Sequence, residues 1–478
     1  MRAHLILGNQ LFKKHPALEL PKNEPKIFIE SVSASSKYKY HKLKLIFVFS
    51  SMRHYADQLK NDGHNVIYIK QSKGSISVNL TEIISDQKIN EITYMQPADI
   101  DPRKNLSKLF KELKIETKVF PNMLHITTEE DFEEWFKSTK KPIMENFYRL
   151  QRRKLNILMD GDKPVGGEFN YDKENRKPLP KSGIDIPKNK TFEIDEITKE
   201  VIGDVNKNFA DNPGSADNIW FAINHEQAED LLEDFVMNRL DKFGPYEDAI
   251  KIGEPFLFHS VLSPYINNGL LEVNELIERV LAAKNIPLPS LEGFIRQVIG
   301  WREYMYGLYC QLTDLKECNY FNFDKQLEDW WFDLDYENKS LPEPIVNSLN
   351  TLKEYGYNHH IERLMVLGNW FLINEYDPSS VNKWFMSMYI DAYEWVMTPN
   401  VMGMSQYADG GKVATKPYIS GDAYLSKMGN FSKVLDKNNS YTEKYWEFLK
   451  NNHEKLKNNP RMSLSINQAL KRNKIKLP

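Results

Sequence analysis

The segment YNHHIERLMVLGNWF at 357–371 poses the chemical question of this sequence. Wound as a helix, it puts His360, Arg363, Leu364 and Leu367 on one side, because residues three, four and seven apart overlap at 3.6 residues per turn. An imidazole and a guanidinium then share an apolar face. Burying a guanidinium is costly unless an anion meets it, so this face either stays out of the core or requires a negatively charged partner. Three further segments carry related chemistry. GFIRQVIGWREYMYGLY at 293–309 sets Arg302 among Phe294, Val298 and Met305, an arrangement that a snorkelling arginine also produces. FHSVLSPYINNGLL at 258–271 offers the hydroxyls of Ser260 and Ser263, with Pro264 at a helix entrance. That pattern suits a phosphate and equally a plain N-cap. YIDAYEWVMTPNVMGMSQYADGG at 389–411 combines Asp391, Glu394 and Asn400 beside Trp395. Those groups can read the polar edge of a ring system, or cap helices.

Other chemistries find no pattern. H-E-x-x-H, G-x-S-x-G, G-x-G-x-x-G and the P-loop signature are absent. The two cysteines, Cys310 and Cys318, make neither a disulfide framework nor a four-thiolate metal site, which suggests a reducing, cytosolic setting. His359 and His360 adjoin, so on a helix they diverge by about 100° and do not easily ligate one metal. Lys+Arg 63 against Asp+Glu 66 leaves a formal net charge of −3, so any polyanion site must be a local patch. Nothing resembles a cleavable leader or a membrane span.

The elements that must position these residues fall into three parts of the 478-residue chain. Residues 1–125 alternate aliphatic runs with polar helical segments: HLILG at 4–8, KIFIESV at 26–32, LKLIFVFS at 43–50, NVIYIK at 65–70 and EITYMQ at 91–96 read as strands. MRHYADQLKNDG at 52–63 reads as a helix closed by Gly63. This is the βαβ rhythm of a Rossmann-like parallel sheet, an α/β domain whose ligand site would lie beyond the carboxyl ends of the strands. Residues 126–220 loosen, and 147–190 reads as an extended interdomain connection whose Arg149, Arg152, Arg153, Arg176 and Lys177 form a solvated surface or a binding patch. Residues 221–478 are helical throughout, an all-α domain large enough to enclose a ligand.

Taken together, SxLSPYIxxG, FIRQVIGWREYMYG, NHHIERLM and DAYEWVxxPNVxGMSQxADGG followed by TKPYIxG resemble the photolyase/cryptochrome superfamily. They look most like its bacterial (6-4) photolyase branch, the iron–sulfur bacterial cryptochromes and photolyases. ILGNQL at 6–11, FSSMRHYADQL at 49–59, FYRLQRRK at 147–154 and PVGGEFNYDKENR at 164–176 carry the likeness nearly end to end.

The resemblance implies FAD, folded into a U inside the helical domain, as the anion for the arginines. It assigns Ser260, Leu262, Ser263 and Arg302 to the phosphates and Arg363 and Asp391 to the flanks of the isoalloxazine. Asn400 falls near its N5 side, and Gln297, Trp301, His360 and Glu394 to the rest of the cofactor site. It implies blue-light electron transfer to a (6-4) photoproduct flipped out of UV-damaged DNA, with the pair His359-His360 beside the lesion and His360 as proton donor. Tyr418 and Tyr424 match the lesion pocket, and Arg176 and Lys416 match DNA contacts. Trp384 and Tyr336 match an aromatic electron relay, Tyr336 standing where the family has Trp. Asn9, Gln10 and His41 match an antenna site for 6,7-dimethyl-8-ribityllumazine, though Ala34 replaces a family Glu. The positions matching the four cysteines of the family's [4Fe–4S] cluster are Pro344, Ser432, Leu435 and a shortened loop at 436–441, so a cluster-free member is expected. A cyclobutane-dimer photolyase or a blue-light receptor is the alternative. A cytosolic monomer that associates with the nucleoid on DNA, with no membrane contact, completes the expectation.

Overall fold

The computed structural model describes residues 1–432 and 439–471. Five strands, β1 (Arg2–Leu5), β2 (Lys26–Ser31), β3 (Val66–Ser72), β4 (Glu91–Met95) and β5 (Glu116–Phe120), form one sheet in the order β3-β2-β1-β4-β5. All four pairings are parallel, as crossover helices require. The order reverses at β1, which pairs with β2 on one side and β4 on the other. The α/β reading therefore holds, with two corrections. LKLIFVFS is not a strand: it opens a 20-residue helix, α1 (Lys42–Asn61), whose start is capped by His41. Leu43, Leu45, Ile46, Phe47 and Phe49 are all buried, so α1 lacks the solvent face that would reveal a helical period, and its aliphatic run imitates a buried strand. β5, an exposed edge strand with the sequence ETKVF, escaped the strand list because it carries no apolar run.

The region 147–190 is not wholly extended. A helix, α2 (Met144–Leu155), occupies its start, and α3 (Glu196–Asn208) packs on α1 farther along. Arg152 is fully buried, against the expectation of a solvated surface. Its guanidinium donates to the carbonyls of Ile157 and Phe169, each at 3.2 Å, and to that of Leu158, so it ties off the chain that leaves α2.

Beyond 221 the described elements are all helical. Three stretches are wound as π-helix rather than α-helix: Arg296–Arg302, Glu362–Gly368 and Pro399–Ser405. The second and third touch where Gly368 lies, and a Cβ there would fall 2.2 Å from Ser405 Oγ and 2.8 Å from the Arg363 carbonyl. Widened turns of this kind cost hydrogen-bond geometry and concentrate at functional sites. All three carry residues that the sequence singles out.

Candidate active site

The three π-helical stretches and the 260–263 loop wall a cavity of about 530 Å³ in the helical domain. Of the expected cofactor residues, Ser260, Leu262, Ser263, Gln297, Trp301, Arg302, His360, Arg363, Asp391 and Asn400 line it. Arg176, Tyr418 and Tyr424 line the same space. Segments more than 200 residues apart in sequence thus meet around one void, as a shared ligand would require.

The arginines are already answered by carboxylates. Arg363 Nη1 lies 2.9 Å from Asp391 Oδ1, and its Nε donates to the Asn358 carbonyl at 2.7 Å. Its guanidinium also sits 4.1 Å from the Tyr389 ring centroid and 4.8 Å from that of Tyr357. Asp391 accepts a further bond from Ser263 Oγ at 2.7 Å. Arg302 pairs with Glu303 at 3.1 Å, donates to the Leu124 carbonyl at 2.7 Å and lies over Trp395. Two buried cations therefore do not by themselves demand a bound dinucleotide, which corrects the argument from sequence. What remains unmatched is smaller: among the described residues neither the buried Arg302 Nε nor the Gln297 amide has a hydrogen-bond partner. The Asn400 amide N–H donates to Val396, leaving its carbonyl oxygen unbonded on the cavity wall. Around these stand Leu364, Met365, Val298, Val396 and Met404, an apolar bed with a few polar groups, the composition of a cofactor site.

His360 presents its ring to the cavity, whereas His359 is 1% exposed and lies behind the wall. His359 stacks on His259 with centroids 4.5 Å apart and planes 9° apart, and its Nε2 lies 3.6 Å from Glu362. His360 is exposed toward the cavity yet enclosed by its walls; that enclosure, then the charges of Arg363 and Arg176, push it down to about 4. The imidazole is neutral at pH 7, and an anion close to it would raise its proton affinity. Burial also pushes the Glu362 carboxyl behind it up to about 7.

Other expected residues lie elsewhere. Glu394 does not line the cavity: its carboxylate accepts from Tyr309 at 2.5 Å and pairs with Lys316 at 2.6 Å. Lys416 is exposed, two residues before Tyr418. Asn9 and Gln10 follow β1, at the point where the strand order reverses. Gln10 is fully buried and donates to the carbonyls of Met95 and Gln96 at 3.1 and 3.3 Å. Both ring nitrogens of His41 are engaged, Nδ1 accepting from the Leu43 N–H and Nε2 3.2 Å from the Lys353 carbonyl.

Tyr336 bonds to Asn350 at 2.6 Å and makes no aromatic ring contact with the described residues. Trp384, fully buried, does: it meets Tyr389 at 6.1 Å and Trp331 at 6.0 Å, and Trp331 stacks on the half-buried Trp330 at 4.2 Å. Tyr389 lies against Arg363, which lines the cavity, so Tyr389, Trp384, Trp331 and Trp330 link that arginine to the partly exposed face of the domain. The Trp doublet in LEDWWFD was the available signal, and it passed unused because adjacent aromatics usually mark a core. Glu247, Asp248 and His259 also line the cavity, and single-sequence pattern gave no cue to them.

Of the positions matching cluster cysteines, Pro344 is buried near the start of a helix and Ser432 is exposed, its N–H donating to Glu343 at 2.6 Å. Leu435, within 433–438, lies outside the described residues. Among the described residues no three His, Cys, Asp or Glu side chains gather as a metal site, both cysteines are free, and no helix is long and apolar enough to cross a membrane.

Comparison with known proteins adds the following. The family model described as deoxyribodipyrimidine photo-lyase-related protein matches residues 4–221. The (6-4) photolyase of Agrobacterium fabrum is 37% identical over 478 residues, covering 96% of this chain and 93% of that protein. An uncharacterised protein of Acanthamoeba polyphaga mimivirus is 40% identical over 101 residues, 21% of this chain and 82% of its own length. A bacterial class III photolyase from Agrobacterium tumefaciens superposes with a TM-score of 0.55 at 17% identity, over 84% of this chain and 78% of that one. A Synechocystis cryptochrome gives 0.55 at 14%, over 85% and 83%. At such identities the structural likeness speaks for the fold.

Proposed function

Because this chain belongs to the deoxyribodipyrimidine photolyase-related family, we propose that it repairs ultraviolet-damaged DNA in blue light, acting through FAD on a flipped-out (6-4) pyrimidine photoproduct. The observation that carries the reading is one cavity that joins Arg363, Asp391, Gln297 and Asn400 to His360, Tyr418 and Tyr424. The donor set fits a flavin dinucleotide. Buried Arg302 Nε, the unengaged Gln297 amide and the Asn400 carbonyl are polar atoms awaiting partners in an otherwise apolar bed, and the volume falls in the range of about 300–1,000 Å³ typical of ligand pockets. When bound, FAD supplies a light-excited donor of a single electron.

The chain's own residues do the rest. Ser263 and Arg363 fix Asp391 from two sides, so its carboxylate has one orientation at the flavin end. Leu364, Met365 and Trp395 exclude water there. At the other end Tyr418 and Tyr424 bound the space for an everted base, and His360, taking a proton once an anionic partner offsets Arg363 and Arg176, would deliver it to the lesion. A lumazine antenna would have to use Asn9 and the unpartnered Oε1 of Gln10, since His41 has no free ring nitrogen.

Blue-light assays on oligonucleotides carrying either photoproduct test the reading. Restoration of the (6-4) site is the expected result. Restoration of cyclobutane dimers alone would make it a dimer photolyase, and photoreduction without repair of either would make it a receptor. The ring contacts add a second expectation: Trp331→Phe slows light-driven flavin reduction at least about tenfold, a barrier increase of ~1.4 kcal/mol, while Tyr336→Phe leaves it near wild type. Flavin absorbance under illumination with an external reductant reports it, and the reverse ranking of the two variants would return the relay to Tyr336.

A further inference from the structure

The loop around Arg176 is tied to the helical domain by an ionic network that ends in the cavity. Arg296, 1% exposed, pairs with Glu292 at 3.1 Å and with Asp172. The same Glu292 carboxylate accepts from Tyr148 Oη at 2.8 Å and from the Tyr171 N–H at 3.1 Å. Asn175 donates to the Pro289 carbonyl at 3.0 Å and packs so closely that a Cβ on Gly244 would lie 2.5 Å from its Oδ1. So anchored, Arg176 is held at φ +61°, a left-handed conformation that a residue with a side chain rarely adopts without support. Its backbone N–H donates to the Gly244 carbonyl, Nε donates to Glu247 Oε1 at 3.1 Å, and Nη2 lies 3.1 Å from Asp172. The pairing is unequal in one respect: the Arg176 side chain is 45% exposed and that of Glu247 only 8%.

We propose that Glu247 is a positioning residue for substrate entry, holding Arg176 at the solvent end of the cavity and yielding it to a DNA phosphate as the duplex docks, with a proton from solvent taking the cation's place. This rests on the DNA-repair reading above. One phosphate can offer the exposed guanidinium two parallel hydrogen bonds, whereas the protein divides it between one oxygen of Glu247 and one of Asp172. Glu247 cannot follow it out of the wall. The groups facing its carboxylate are Arg176, Arg296 and Asp248. Burial already pushes Glu247 up to about 7, against the pull of Arg176 and Arg296. Once Arg176 leaves, burial and Asp248 are opposed by Arg296 alone, and the carboxylate binds a proton. The same departure removes one of the two arginines that depress His360, so the imidazole becomes easier to charge as the lesion arrives. Docking and the readiness of the proton donor are then coupled through one arginine.

Calorimetry of the flavin-loaded protein with a (6-4)-bearing duplex, in buffers of different ionisation heat at pH 8, counts the protons. The wild type is expected to take up as much as about one proton per complex, since a group whose pKa rises on binding gains protons. In Glu247→Gln the uptake should fall by about half or more, and DNA should bind about threefold tighter because a competing carboxylate is gone. Glu247→Asp, keeping the charge, should restore uptake. Weaker binding with undiminished uptake in Glu247→Gln marks a merely structural residue and overturns the proposal, as does a wild type that takes up no proton. If the flavin-loaded wild type binds neither damaged nor intact duplex, the repair reading itself fails and the role of Glu247 falls with it, a result distinct from any outcome of the Glu247 variants.

Discussion

His360→Ala and His360→Asn are expected to lose (6-4) repair by about 10²–10⁴-fold, the usual contribution of a positioned general acid, while the flavin still binds and still photoreduces. His360 and His259 both reach the cavity, but His259 is stacked on the buried His359 with their planes 9° apart, whereas His360 makes no ring stack among the described residues. The pH dependence follows from the direction of the shift. Enclosure by the cavity walls and two arginines lower the cavity-exposed His360 to about 4, so the protonated, donating form is favoured by acid and its fraction falls as pH rises. Repair per absorbed photon at saturating DNA should therefore decline toward alkaline pH with a single ionisation, and the Asn variant should lose that dependence along with the rate. DNA binding supplies phosphate charge and frees Arg176, so the apparent ionisation in the complex should lie above that of the free protein. Quantum yields for both forms across pH measure this. An Asn variant that repairs at the wild-type rate would remove His360 from the reaction.

Asp391→Ala is expected to destabilise the fold by about 3–5 kcal/mol, because it leaves Arg363 as an uncompensated cation in a water-poor wall. The pair lies at 2.9 Å, and the arginine is clamped between Tyr357 and Tyr389 with its Nε on the Asn358 carbonyl, so it cannot swing out to solvent. Arg363→Leu should be comparably harmful, stranding Asp391 with only Ser263, among the described residues, as donor to its side chain. The double variant should recover much of the stability, since removing both charges leaves no ion to desolvate. It should not recover flavin, because both groups face the cavity. Denaturant melts and the flavin content of the purified proteins separate the two effects. Additive losses in the double variant would mean that the two side chains act independently.

Much of the fold was legible from local pattern. Short aliphatic runs alternating with amphipathic stretches announced the parallel sheet, and the helical character beyond residue 221 followed from spacing and punctuation. The failures share one cause: a period is visible only where an element has two unlike faces. α1 is buried nearly all round at its start and imitated a strand, while β5 is exposed and imitated a loop. The types of residue needed for the site were equally plain, since hydroxyl, amide, imidazole and guanidinium groups among apolar neighbours are conspicuous in one dimension.

Their partners were not. The sequence raised the question of what anion meets Arg363 and Arg302, and pointed to a ligand; the folded chain supplies Asp391, 28 residues on, and Glu303, the very next residue. Spacing could not reveal the π-helical turns that aim residues from three helices into one void, because the extra residue per turn is set by packing, as at Gly368 against Ser405, and not by propensity. Nor could it couple Arg176 to Glu247, 71 residues away, or bring Trp331 against Trp384 across 53. By itself the sequence determined which functional groups are present and which secondary structures carry them, because both depend on neighbours within a few residues. Only the tertiary structure decided which charges neutralise one another and which atoms stay free for a ligand, because burial and proximity are properties of chain segments that meet in space.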